Sequence, residues 1–160
     1  MANEEILIKM VLDKVNALPQ ISETDRELLF PNGYIIDFIA DQSVSYQTGD
    51  GATTSEFRFK GMMKNVRSNP ILIQLISENS VGKRRHTLSI SHSLNPRAGG
   101  DSVIARTYEV VDSYASEIAG LHRTFFEKQS PDYVGQVNKM IENREGRKRT
   151  YAWKRFAPTN

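Results

Sequence analysis

The sequence predicts an α+β fold: an N-terminal helix, an antiparallel β meander of four to five strands, two C-terminal helices and a basic tail. Apolar residues recur at intervals of three and four near both ends of the chain, the mark of helices with one buried face. In the middle they alternate, as they do in strands, and Pro/Gly-rich segments separate the runs. The composition, 39% apolar and 25% charged over 160 residues, is that of one globular domain able to bury a core without staples.

The elements follow in order. Leu7, Met10, Val11 and Leu18 give residues Glu4 to Leu18 one apolar face, and Pro19 stops the helix. Ser22, with Asp25 three residues on, caps a short helical turn. Pro31-Asn32-Gly33 is a turn. Tyr34 to Ile39 is a short β-branched and aromatic strand, and a second strand follows through Val44 and Tyr46. After the Gly49-Asp50-Gly51-Ala52 turn, Glu56 to Met62 alternates, with Phe57 and Phe59 on one face and Arg58 and Lys60 on the other. Ile71 to Ile76 and Arg85 to Leu94 are two more strands, joined by a hairpin turn at Ser80-Val81-Gly82-Lys83. Beyond Asn95 to Gly100 the period becomes helical: Ile104, Tyr108, Val111, Ala115, Ile118, His122 and Phe125 predict one long helix capped by Asp101 or Ser102. Pro131 opens a last helix carrying Val134, Val137 and Ile141, and Gly146 is expected to end it. Residues 1–145 thus form a single domain and residues 146–160 a basic aromatic arm.

That arm is the strongest functional signal. Arg144 to Arg155 hold six basic residues against one acid, a net +5 in a chain whose total is +2. Clustered cations with Tyr151 and Trp153 between them suit phosphates and stacked bases. Arg147, Lys148, Arg149, Tyr151, Trp153, Lys154 and Arg155 are therefore the expected nucleic-acid contacts. Lys83, Arg84 and Arg85 extend the track, and Arg58, Lys60, Lys64 and Arg67 could make a basic sheet face. RNA or single-stranded DNA fits an open sheet better than a duplex. A solubility tail gains nothing from three aromatics, although Tyr151, Trp153 and Phe156 could equally pack on the domain or on a neighbouring subunit.

The alternative is therefore a self-assembling structural protein, such as a viral coat or virion protein, whose arm and long helix contact neighbouring subunits. A third reading is a small metal-dependent nuclease using Asp37, Asp41 and Glu56, but Arg58 stands where such a site wants a lysine. The chain has no cysteine, which excludes disulfides, thiolate metal sites and thiol nucleophiles. His86 and His92, six residues apart on one strand, lie about 20 Å apart and cannot share an ion. His122, on the apolar stripe, reads as a core histidine. Pro96 to Gly100 lacks the ending of a phosphate-binding loop. Phe57-Arg58-Phe59-Lys60-Gly61 lacks the aromatic order of an RNA-recognition strand. No Ser-His-Asp grouping can be assembled from the sequence. The expectation is a cytoplasmic, non-enzymatic protein without cofactor, metal or membrane segment, and a possible homo-oligomer.

Overall fold

A computed structural model describes residues 3–29, 35–63, 70–94 and 102–156; over 144–156 it describes the backbone. The helices are α1 (Asn3–Asn16), α2 (Glu23–Leu29), α3 (Asp112–Lys128) and α4 (Pro131–Phe156). The strands are β1 (Ile35–Ala40), β2 (Val44–Gln47), β3 (Thr53–Met63), β4 (Ile71–Ser80), β5 (Lys83–Leu94) and β6 (Ser102–Val110). They form one antiparallel sheet ordered β1-β3-β4-β5-β6, with β2 also on β3. The α+β class and the order of its elements match the expectation, with six strands in place of four or five.

β3 organises the sheet. Its C-terminal half pairs with β1 (Ala40 opposite Phe59, Ile39 opposite Lys60), and its N-terminal half pairs with β2 (Val44 opposite Glu56, Tyr46 opposite Thr54). One edge of β3 thus carries two short strands, with Asp41, Gln42 and Ser43 between them.

Alternation sorts the two faces. Phe38, Phe59, Ile73, Leu75, Leu88 and Ile90 are fully buried beneath α1 and α3. Phe38 stacks on Phe59 with ring centroids 5.3 Å apart, and Phe125 of α3 meets both edge-on at 6.1 Å. An ion pair between Lys14 and Glu117 and a hydrogen bond from the Tyr114 hydroxyl to the Lys14 carbonyl (3.1 Å) join α1 to α3. Ile39 and Met62 point the other way, and with Val137 and Ile141 of α4 they form a second, smaller core. The chain therefore passes around the β1 edge between α3 and α4, leaving the rest of the second face uncovered by any described helix.

Two expectations fail. The segment expected to begin the long helix is β6, pairing with β5 from Ser102 opposite Leu94 to Val110 opposite His86. Ile104 and Tyr108 are four apart, a spacing that satisfies both a helix and a strand, and the open edge of β5 decides for the strand. Ser102 therefore lies in β6 instead of at a helix start, while Asp101 lies outside the described residues. α3 starts at Asp112 behind Val111, which makes no side-chain cap. Nor does the last helix stop at Gly146, since α4 continues to Phe156. With no proline between Gly146 and Phe156, Arg, Lys and Ala propensities carry the backbone on.

Ser22 does cap α2, accepting the Asp25 N–H at 3.1 Å. Gly51 (φ 85°) and Gly82 (φ 75°) supply the left-handed residues of the β2–β3 and β4–β5 turns. The turn at Pro31-Asn32-Gly33 lies outside the described residues.

Candidate functional site

The outward face of the sheet carries charge of both signs. Arg58 and Lys60 lie on it as expected, and so do Lys83 and Arg85. Carboxylates interleave with them: Lys60 pairs with Asp41 (3.3 Å) and Arg85 with Glu109 (3.4 Å), while Glu56 accepts a hydrogen bond from the Gln74 amide (2.6 Å). Glu78, opposite Arg85, adds another acid. A polyanion laid across this face would meet carboxylates at nearly every step, which weakens phosphate attraction.

At the β1–β2 break a cavity of about 290 Å³ is lined by Asp41, Gln42, Val44, Glu56 and Arg58. Two of the three carboxylates of the nuclease reading meet there, while Asp37, opposite Met62 on β1, is not among its lining residues. Partial burial pushes the Asp37 carboxyl above its ordinary range. Among the described residues, no group of three or more His, Asp or Glu could hold a metal ion. No helix of the described residues is long and apolar enough to cross a membrane.

Lys83, Arg84 and Arg85 are exposed at the start of β5, where alternation puts Arg84 on the opposite face from its neighbours. The arm residues Arg147, Lys148, Arg149, Tyr151, Trp153, Lys154 and Arg155 fall on the helical backbone of α4. Their side chains lie outside the described residues, as do Lys64, Arg67 and the Pro96–Gly100 segment.

The histidines separate by environment. β5 is unbroken from Lys83 to Leu94, so six steps at about 3.3 Å keep the backbones of His86 and His92 about 20 Å apart. His122 is 3% exposed, packed against Phe57 and Phe59 (centroids 5.5 and 5.1 Å), and among the described residues its Nε2 has no hydrogen-bond partner. Burial pulls its pKa below the ordinary value, opposed by the backbone of Arg58 and Asp41 and by the Asp41 charge.

One grouping escaped the sequence reading. Ser77 Oγ lies 2.7 Å from His86 Nδ1, and His86 Nε2 lies 2.5 Å from Asp112 Oδ1. A turn at Val81-Gly82 pairs Ser80 with Lys83, and counting back pairs Ser77 with His86, so half of it was legible in the hairpin. Asp112 was not, because the long-helix expectation put it mid-helix instead of at a helix start. Chemically, the imidazole ties two strands to the first turn of α3. Such a chain can also polarise a serine hydroxyl, but none of the three residues lines the cavity.

Equally invisible in sequence are the caps on the sheet edge. The Gln129 side chain donates to the Ala40 carbonyl (2.7 Å) and accepts the Ala40 N–H (3.0 Å), and the Tyr133 hydroxyl accepts the Phe38 N–H (2.9 Å). Comparison with family models, curated proteins and solved structures returned no match.

Proposed function

We propose that the protein is a nucleic-acid-binding protein whose main contact is the basic end of α4. The observation that carries this reading is a net +5 between Arg144 and Arg155, on a backbone that is helical to Phe156. Arg144, Arg147, Lys148, Tyr151, Lys154 and Arg155 recur at intervals of three and four, a spacing that a helix gathers along one side. Such a ridge neutralises phosphates without reading bases, so binding is mainly sequence-independent and falls steeply with salt. Tyr151 and Trp153 add stacking, which favours RNA or single-stranded DNA over a duplex. The mixed charge of the outward sheet face makes it a secondary surface, with Lys83 its most available cation and Arg84 facing the other way.

The test is fluorescence-anisotropy titration of single-stranded and duplex oligonucleotides at about 50 and 200 mM salt. With six or more phosphate contacts, affinity drops about 10³-fold or more across that range. Alanine at Lys148, Arg149, Lys154 and Arg155 together should abolish most of the binding and flatten the salt slope; unchanged binding removes the arm from the interface.

Self-assembly is the second reading, with the arm and α3 against neighbouring subunits. It is favoured by large apolar side chains left exposed on the helices: Ile6 and Met10 one turn apart on α1, Phe126 on α3 and Met140 on α4. Light scattering that gives the mass of a single chain at high concentration excludes it.

A further inference from the structure

Among the described residues the sheet has three outer strand edges, and the protein treats them differently. The β1 edge is closed by Gln129 and Tyr133, whose side chains take up the backbone groups of Ala40 and Phe38. The β6 edge is held by the α2 region: Gln20 donates to the Glu109 carbonyl (3.0 Å), and Asp25 takes hydrogen bonds from Arg106 (3.1 Å) and Tyr108 (3.0 Å). β2 has no such guard. Among the described residues nothing bonds to its outer edge, all four residues are exposed, and Val44-Ser45-Tyr46-Gln47 carries neither charge nor proline. Natural sheets blunt open edges with charge, proline or cover because an open edge recruits another strand. We propose that β2 is a docking edge and that its occupant is β2 of a second copy of this chain, paired antiparallel about a two-fold axis at Ser45.

The register supports that occupant. Thr48 donates its N–H to the Ala52 carbonyl (2.8 Å), and ladder alternation from there turns Val44 and Tyr46 toward β3 and the backbone groups of Ser45 and Gln47 outward. With the axis at Ser45, Ser45 faces Ser45 of the second copy as a hydrogen-bonded pair, and Gln47 faces Ser43 in the same way. Val44 then lies opposite Tyr46 at both non-hydrogen-bonded positions, where side chains approach most closely. Val44 (51% exposed) and Tyr46 (44%) are the apolar residues this edge leaves uncovered. An uncharged strand also meets its own copy without like-charge repulsion. The pairing makes one continuous sheet across two molecules, with Tyr46 of each copy over the rim of the other's cavity at Val44.

This surface is separate from the arm, so it does not depend on the nucleic-acid reading. The chain has no cysteine, and opposed residues of a hydrogen-bonded pair lie about 5.5 Å apart between Cα atoms, within disulfide range. Ser45→Cys should therefore cross-link to a dimer under mild oxidation, while Val81→Cys, on the fully exposed β4–β5 turn, should not. Sedimentation equilibrium of the wild type should give twice 18.1 kDa. Ser45→Pro removes the outward N–H together with the exposed Ser45 Oγ–Ser55 Oγ hydrogen bond (2.9 Å), and Ser45→Lys, which loses the same hydroxyl, sets two cations face to face; each should return the mass to that of a single chain with an unchanged circular dichroism spectrum. A wild type that stays a single chain at its highest soluble concentration, no excess cross-linking of Ser45→Cys over Val81→Cys, or growth into open-ended assemblies overturns the two-fold pairing. The Ser45→Pro chain retains residues 147–155, so its oligonucleotide titration reports on the arm alone.

Discussion

Replacing Gln129 with alanine tests whether one side chain closes the β1 edge. Gln129 is the residue after α3, its backbone held by its own N–H on the Phe125 carbonyl (3.0 Å), so its amide reaches the sheet from a fixed base. The amide makes both hydrogen bonds of Ala40, at 2.7 and 3.0 Å, as a neighbouring strand would. A typical intramolecular hydrogen bond contributes about 0.5–1.5 kcal/mol net, and a buried group left unpaired costs about 1–3 kcal/mol. Ala40 is only 2% exposed, so water replaces the lost partners poorly and the two bonds together should be worth about 2–3 kcal/mol. For a domain of this size that lowers Tm by about 4–12 °C. Urea unfolding of wild type, Gln129→Ala and Gln129→Glu reads the effect as a shift in midpoint at constant slope. Gln129→Glu keeps the acceptor for the Ala40 N–H but loses the donor to its carbonyl, so it should lose at least as much as one bond. A Gln129→Ala midpoint within about 0.5 kcal/mol of wild type, the range of an indifferent surface change, refutes the edge-closure argument.

The same packing sets two further outcomes. A Cβ on Gly61 would meet the Asp37 carbonyl oxygen at 2.2 Å and Phe38 Cδ1 at 2.6 Å; Gly61→Ala must push β1 off β3, and should cost at least the 1–3 kcal/mol of ordinary overpacking, read by chemical denaturation. His122 has its folded pKa below the ordinary 6.5, so the unfolded chain binds the extra proton first. The stability it contributes is fully present above about pH 6.5 and is lost as pH falls toward and through the depressed value. In His122→Phe that loss, at most about 1.4 kcal/mol per pH unit, should disappear, and equal acid sensitivity of both proteins between about pH 7.5 and 5 would contradict the assignment.

Most of the fold was written in local pattern. The β4–β5 hairpin is the clearest case, because apolar alternation on both sides of a Val-Gly turn fixes strand, turn and register together. The β6 segment shows the limit: Ile104 and Tyr108 fit two periods equally, and only the unpaired edge of β5, a non-local fact, selects one. The same limit explains the site. Ser77 and His86 are joined by hairpin counting, but Asp112 reaches them only after β6 and α3 are correctly divided.

By itself the sequence determined the α+β class, the positions of the alternating strands, the capped start of α2, and the concentration of cations and aromatics at the end of the chain. These are properties of neighbouring residues, so periodicity, turn chemistry and charge suffice to read them. Tertiary structure alone decided that carboxylates interleave with the sheet's basic residues, that Gln129 and Tyr133 close one edge while the α2 region holds another, and that β2 is left open by the described residues. Each depends on residues tens of positions apart meeting across a strand or a helix junction, and no local period records which strand becomes an edge.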